Sequence, residues 1–232
     1  MNIRRSADRG TTDIDWLKSR HTFSFGEYHD PAHMGFRSLR VINDDLVAPG
    51  QGFDTHGHRD MEIITVVLSG ALEHKDSLGH GEVLRPGEVQ VMTAGRGIRH
   101  SEFNPSRDTP VHLIQIWIRP QSQGLPPAYA QREFPQTKGR LARVAGRDGL
   151  EPDGALKINQ DADLFVGTLA PRQAAEHTLR SGRGVWVHVA EGSASVNTVA
   201  LSAGDAAAIE QPGPVQIAAG EGGATVLLFD LA

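Results

Sequence analysis

Gly50–Glu62 reads GQGFDTHGHRDME, and Gly87–Asn104 reads GEVQVMTAGRGIRHSEFN. Both stretches combine glycine turns with the alternating pattern of a β-strand, in which residues i and i+2 point to the same face. His56 and His58 therefore present two imidazoles side by side, and His100 and Glu102 form a second same-face pair. On neighbouring strands of a barrel, the two pairs would bring together three ring nitrogens and one carboxylate.

A cluster of that composition suits a borderline divalent metal ion with coordination positions left open, as in the His/carboxylate sites of non-haem Fe(II) oxygenases. A single His-x-His pair is weak evidence, because such pairs also arise by chance. Two pairs roughly 40 residues apart, each beside glycine-rich turns, are what a β-barrel would bring together. Cysteine is absent, which excludes disulfides, thiolate metal sites and thiol nucleophiles.

The composition excludes several other classes of protein. The 232 residues are 39% hydrophobic, and 23 Lys and Arg stand against 28 Asp and Glu, a net charge of −5. No basic stripe favours direct nucleic-acid binding. The apolar runs are far shorter than the ~20 residues that span a bilayer. The N-terminal MNIRRSADRG has no apolar segment behind its arginines, so we expect a cytoplasmic protein without a secretory signal.

The hydrophobic pattern predicts an all-β fold. Short segments rich in β-branched and aromatic residues recur between Gly and Pro, while Pro126–Arg132 is the place where a helical turn is expected. Leu84–Met92 lines up with Leu201–Ile209, which indicates a duplicated β-barrel unit. We predict two β-barrel (jelly-roll) domains in one chain: 1–130 with the metal site, a connecting segment 131–160, and 161–232 without a metal site.

The motif G-x5-H-x-H-x3-E-x7-G, from Gly50 to Gly70, and the motif G-x7-G-x4-H-x3-N, from Gly87 to Asn104, resemble the paired cupin motifs. HGHRDMEIITVVLSGALEHKDSLG (56–79) and MTAGRGIRHSEFNPS (92–106) resemble the pirin family more specifically, including its bacterial members with quercetin 2,3-dioxygenase activity. The resemblance covers nearly the whole chain. It implies a bicupin whose N-terminal cupin binds a metal ion through the ligands His56, His58, His100 and Glu102.

The resemblance also implies a degenerate C-terminal cupin, and the residues there agree. At the position that matches His-x-His the second half has Glu176-His177-Thr178, and 215–221, which matches the His100 region, contains no histidine. A lone histidine cannot rebuild the site, so His177 is expected to be a surface or packing residue.

The implied activity is that of a quercetin 2,3-dioxygenase-like oxidoreductase, which cleaves flavonols with O2 and releases carbon monoxide. The implied cofactor is one divalent metal ion, with Fe(II) expected, although Ni, Mn, Co, Cu and Zn accept the same ligands. Glu102 is the expected catalytic base for the 3-hydroxyl proton of a flavonol. The expected partners are a small aromatic substrate and O2, without nucleic acid or membrane.

Two hypotheses from other classes stay open. One is a pirin-like metal-binding regulatory module that senses redox state and binds a protein partner. The other is an isomerase or hydrolase that uses the metal ion only as a Lewis acid.

Other polar residues near the motifs are ambiguous. Glu62 is expected to be a hydrogen-bond acceptor in the metal pocket rather than a ligand, with a salt bridge at the barrel mouth as the alternative. His74 and His80 flank the polar hairpin HKDSLGH and are expected to be solvated. Phe53, Met61 and Ile98 are candidates for lining a pocket for a flat aromatic molecule, or for packing in the core.

Overall fold

The computed structural model describes residues 1–134, 139–149 and 154–232. In these residues the chain forms twenty β-strands, a 3-10 turn at Ser6–Asp8 and no α-helix. The strands are β1 (Asn2–Arg4), β2 (Gly10–Ile14), β3 (Leu17–His21), β4 (Leu39–Val47), β5 (Gly52–His58), β6 (Glu62–Ser69), β7 (Leu72–Asp76), β8 (Gly81–Leu84), β9 (Glu88–Thr93), β10 (Ile98–Phe103), β11 (Val111–Ile118), β12 (Ala128–Glu133), β13 (Ala142–Gly146), β14 (Leu156–Lys157), β15 (Ala162–Leu169), β16 (Ala174–Leu179), β17 (Gly184–Val196), β18 (Val199–Ser202), β19 (Ala206–Ile209) and β20 (Gly213–Leu231). The all-β prediction is confirmed.

The strands form three sheets. A seven-stranded sheet has the order β12-β9-β6-β11-β4-β3-β2, and a four-stranded sheet has the order β5-β10-β7-β8. The third sheet follows the path β1-β19-β17-β20-β15-β13-β14, with β16 paired to β20 and β18 to β17. Across the described residues, no helix is long and apolar enough to span a membrane.

The central strands of the seven-stranded sheet are covered on both faces. Along β11 the side chains of Ile114, Ile116 and Ile118 are fully buried in one apolar cluster, while Leu113 belongs to a second cluster on the other face. A near-continuous apolar run such as VHLIQIWI is what a strand buried on both faces requires.

The main apolar cluster joins the two halves of the chain. It packs Ile64 of β6 and Ile114 of β11 together with Trp186 of β17 and Phe229 of β20. Strand β1 strengthens the junction, because the N-terminus of the chain pairs with β19. One face of the seven-stranded sheet is therefore used to hold the halves together, and its other face is free to build a site.

The strand pattern of the sequence is largely reproduced, but the expected helical turn at Pro126–Arg132 is wrong. Residues Ala128–Glu133 form β12, which pairs with β9 along its whole length. The open edge of β9 offers a full ladder of hydrogen bonds, and a single weak helical turn cannot match that ladder.

The pairing also shows where the two halves meet in sequence. Strand β12 belongs to the seven-stranded sheet, and β13, beginning at Ala142, belongs to the nine-stranded sheet. The domain limits 1–130, 131–160 and 161–232 stay a prediction, and 135–138 and 150–153 lie outside the described residues.

The repeated segments adopt the same local structure. Strands β8 and β9 are joined through Gly87 with φ 91°, and β18 and β19 are joined through Gly204 with φ 82°. A left-handed backbone at the same place in both turns favours glycine. This match agrees with the predicted duplication.

Phe229→Ala is expected to lower the free energy of unfolding by about 3–5 kcal/mol, because it empties the centre of the cluster between the halves. Urea denaturation followed by circular dichroism measures the change. Leu46→Ala is the control: Leu46 is 39% exposed, and the expected change is within about 0.5 kcal/mol. Equal losses in the two variants would contradict the assignment of this cluster as the main core.

Candidate metal centre

The pairing of β5 with β10 brings the two predicted same-face pairs together. His100 lies opposite His56, and Ile98 lies opposite His58. The register then shifts between His100 and Glu102, so that Glu102 lies opposite Phe53. On β10, His100 and Glu102 are both buried and the residue between them is not, which confirms that they share the inward face.

Three imidazoles converge at this point. The His56 Nε2 and His100 Nε2 atoms are 3.1 Å apart, and the ring centroid of His58 lies 4.8 Å from that of His56 and 4.9 Å from that of His100. One ring nitrogen of each of the three residues lies within 4.8 Å of the corresponding nitrogens of the other two. His56 and His58 are partly exposed, whereas His100 is buried, so the cluster has one side open to solvent.

The electrostatics keep these rings able to bind a cation. Burial and the neighbouring His56 lower the pKa of His58 to about 4. Burial, His56 and His58 lower the pKa of His100 to about 2. Both rings are therefore neutral at pH 7, and a neutral imidazole offers the lone pair that a metal ion requires.

The donor set fits a divalent metal ion. His56 Nδ1 lies 2.8 Å from the carbonyl oxygen of Asp54, and because a carbonyl only accepts, this nitrogen carries the proton in the neutral ring. His56 Nε2 is then a bare acceptor that faces His100. Two neutral imidazole nitrogens this close together would be able to hold one divalent ion between them.

Glu102 is held in place by an amide. Gln115 Nε2 donates to both carboxylate oxygens, at 3.2 and 3.0 Å, and Gln115 Oε1 accepts from Thr65 Oγ1 at 2.8 Å. Burial, with the charge of Asp45, raises the pKa of Glu102 to about 7 despite the hydrogen bond from Gln115. Glu102 groups with His74 and His100, which is a second set that overlaps the three-histidine set at His100.

Two expectations about neighbouring polar residues are wrong. Glu62 accepts from Thr93 Oγ1 at 2.8 Å and from Asn159 Nδ2 at 3.2 Å, so it fastens β6 to β9 and to the segment before β15 rather than facing the histidines. Its strand parity places it with Ile64, on the face that packs against the other half. His74 is not solvated: it is fully buried behind His100.

The apolar candidates lie mostly in packed clusters. Ile98 belongs to a buried cluster on which Met61 and Trp117 pack, and Phe53 packs edge-on against Trp16. Trp117, however, also contacts His58, with ring centroids 4.9 Å apart. Trp117 therefore connects this apolar cluster to the histidine cluster.

Sequence reasoning missed Gln115, Trp117 and the role of His74. Gln115 and Trp117 share the inward parity of β11 with Leu113, so an amide inside an apolar strand was the available signal. His74 and Asp76 form a His-x-Asp pair on β7, the same i, i+2 spacing as the predicted pairs.

In the C-terminal half, His177 is bonded to Asp230 at 2.6 Å, and among the described residues both candidate metal groups lie in the N-terminal half.

Known proteins match both halves of the chain. The family model described as Pirin matches residues 2–118, and the model described as Quercetinase C-terminal cupin domain matches residues 144–231. A quercetin 2,3-dioxygenase of Escherichia coli strain K12 is 45% identical over 229 residues, which cover 99% of this chain and 97% of that protein. A pirin-like protein of Caulobacter vibrioides is 40% identical over 221 residues, 94% of each chain.

A solved structure matches equally well. The bacterial pirin YhhW from Escherichia coli, in complex with nickel(II), has a TM-score of 0.92 at 45% identity and covers 99% of this chain and 98% of that one. The predicted two-barrel cupin architecture is therefore confirmed.

Gly52→Ala is expected to lower the free energy of unfolding by about 1–3 kcal/mol and to weaken metal binding. A Cβ at this position would overlap the Glu102 carbonyl oxygen and lie 2.6 Å from Phe103 Cα, so β5 and β10 must separate. Urea denaturation and nickel(II) titration measure the two effects. Gly57→Ala, on the same strand, is the control: the atom nearest to an added Cβ there is the Ile98 carbonyl oxygen, at 3.7 Å. An equal loss of stability and metal affinity in Gly57→Ala would contradict the close-approach argument.

Proposed function

The chain belongs to the pirin family, and we propose that it is a metal-dependent oxidoreductase of the quercetin 2,3-dioxygenase type. One molecule of flavonol and one molecule of O2 give one depside and one molecule of carbon monoxide. The substrate class, the release of carbon monoxide and the roles of individual residues are parts of this proposal. The predicted quercetin 2,3-dioxygenase-like oxidoreductase agrees with the names of the relatives described above.

The observation that carries the proposal is the convergence of three imidazoles beside a buried carboxylate. His56, His58 and His100 would hold the ion. Glu102, which groups with His100 and His74, is the fourth ligand in this proposal. When bound, a divalent ion supplies a Lewis-acidic centre that polarises a coordinated oxygen and, for a redox-active metal, a route for electrons to O2. A related pirin has been solved in complex with nickel(II), which supports a single divalent ion; Fe(II) is the ion we expect for catalysis.

Glu102 is suited to remove the 3-hydroxyl proton of a flavonol. A general base must lie within hydrogen-bond reach of the proton that it removes, and a carboxylate at the ion that holds the flavonol hydroxyl would meet that condition. Gln115 donates to both of its oxygens and so fixes the plane of the carboxylate. Holding the base in one orientation removes part of the entropic cost of proton transfer.

The open side of the cluster is where a substrate would approach. Trp117, in contact with the His58 ring, offers a flat apolar surface of the kind that aromatic ligands stack against.

Nothing in the described residues specifically favours the regulatory or Lewis-acid alternatives. The large exposed apolar side chains are Met1, Ile14, Met34, Leu46 and Leu78, and they come from separate segments of the chain. The absence of direct nucleic-acid binding and of membrane binding, and a cytoplasmic location, stay predictions, and a protein partner belongs to the regulatory alternative.

His58→Ala is expected to lose the metal ion and quercetin turnover together while it retains the β-sheet circular dichroism spectrum, because the apolar clusters do not depend on His58. The measurement is metal content by mass spectrometry, with loss of quercetin absorbance under air and under nitrogen after Fe(II) reconstitution. His177→Ala is the matched control in the other half. Full metal occupancy in His58→Ala would overturn the ligand assignment, and no decay by the metallated wild type would shift the proposal to the regulatory module.

Glu102→Gln is expected to keep part of the metal ion and to lower kcat by about 10²–10⁴-fold, the usual contribution of a general base. Stopped-flow absorbance at saturating quercetin measures kcat, normalised to bound metal. Turnover per metal ion equal to that of the wild type would assign proton removal to another acceptor.

A further inference from the structure

A second polar cluster lies directly behind His100 and plays no part in the proposal above. It consists of His74 and Asp76 on β7, with His80 just beyond the strand. His74 and the Asp76 carboxylate are fully buried, while the side chain of His80 is 38% exposed. Tyr129 stacks on His74 and on His80, with centroid distances of 4.7 and 4.8 Å. Burying a carboxylate and an imidazole is costly, so this pair next to a candidate metal ligand needs an explanation.

The hydrogen bonds of this cluster form a series that ends at His100, one of the three converging histidines. Asp76 Oδ2 lies 3.3 Å from His74 Nε2, and His74 Nδ1 lies 3.4 Å from His100 Nδ1. The opposite nitrogen of His100, Nε2, faces His56. Each hydrogen bond connects one group to the next, so the group that Asp76 presents to His74 determines which nitrogen of His100 carries the proton.

Asp76 determines which groups donate and which accept along this series of hydrogen bonds. An ionised carboxylate only accepts, so His74 must carry its proton on Nε2 and present a bare Nδ1. His100 must then carry its proton on Nδ1 in order to donate to His74. This leaves His100 Nε2 with a lone pair that points into the cluster, as a metal ligand requires.

We propose that Asp76 and His74 are positioning residues that hold His100 in the tautomer and ring orientation that binds the metal ion. The inference deepens the proposed function, since it takes His100 as a ligand. Partners of this kind, which fix the second ring nitrogen of a ligating histidine, typically contribute about 10–100-fold to metal affinity.

Asp76→Asn tests this proposal sharply, because the structure dictates how the amide must orient. Asp76 Oδ1 accepts from the backbone N–H groups of Leu78 and His80, at 2.8 and 3.1 Å. An asparagine must keep its oxygen on that side, which places its NH2 group against His74 Nε2. His74 then moves its proton to Nδ1, and His100 can no longer donate to it.

The first measurement is the tautomer of each ring in the full-length, metal-free protein, by NMR with ¹⁵N-labelled histidine. The wild type is expected to show the proton on His74 Nε2 and on His100 Nδ1, and Asp76→Asn is expected to reverse both. Nickel(II) affinity by calorimetry is expected to fall by about 10–100-fold. Wild-type His100 protonated on Nε2, or an affinity in Asp76→Asn within about twofold of the wild type, would overturn the proposal.

Two further variants keep the test decisive. His74→Phe retains a ring that can stack on Tyr129 but removes the acceptor, so it should also lose affinity for nickel(II). Asp108→Asn is the matched control, because Asp108 is an exposed turn aspartate that accepts from Ser106 and Thr109; its affinity should stay at the wild-type level. Metal retention by His58→Ala would refute the proposed function, whereas the tautomers of the metal-free protein test the positioning role separately.

Discussion

Strand β10 lies between β5 and β7, and its two registers determine the whole candidate metal centre. On one side His100 lies opposite His56, and on the other side it lies opposite Asp76. A slip of one residue in either pairing would turn His100 and Glu102 to the outer face of the sheet. The close approach at Gly52, which leaves no room for a side chain against β10, helps to keep that register. The chemistry of the site thus depends on backbone pairing before it depends on any side chain.

The two faces of the seven-stranded sheet have different roles. Its outer face packs on the C-terminal half through Ile64, Ile114 and Phe229, and the Glu62–Thr93–Asn159 hydrogen bonds reinforce that junction. Its inner face carries Gln115 and Trp117 toward the histidines. A sheet buried on both faces is a stiff support, and a site built on stiff strands holds its geometry better than one built on loops. The C-terminal half therefore supports the sheet, and among the described residues both candidate metal groups lie in the N-terminal half.

Two directed series of hydrogen bonds run through buried polar groups of the N-terminal barrel. Thr65 donates to Gln115, and Gln115 donates to Glu102; Asp76 orders His74, and His74 orders His100. An unpaired polar group inside a protein costs about 1–3 kcal/mol, and each group in these two series has a partner. Both series end on residues of the candidate centre, one on its carboxylate and one on its most buried imidazole.

The amino-acid sequence by itself determined the all-β class, several central strands in both halves and the two same-face pairs, because a period of two is a local property that the residues carry with them. The pairs His56/His58 and His100/Glu102 were visible for this reason. Only the tertiary structure decided which faces meet. Glu62 has the right residue type and spacing for the pocket, yet its face of β6 packs against the other half; His74 lies in a polar hairpin sequence, yet β10 and Tyr129 cover it. Burial of a strand face depends on which strand lies opposite, and that partner is distant in sequence.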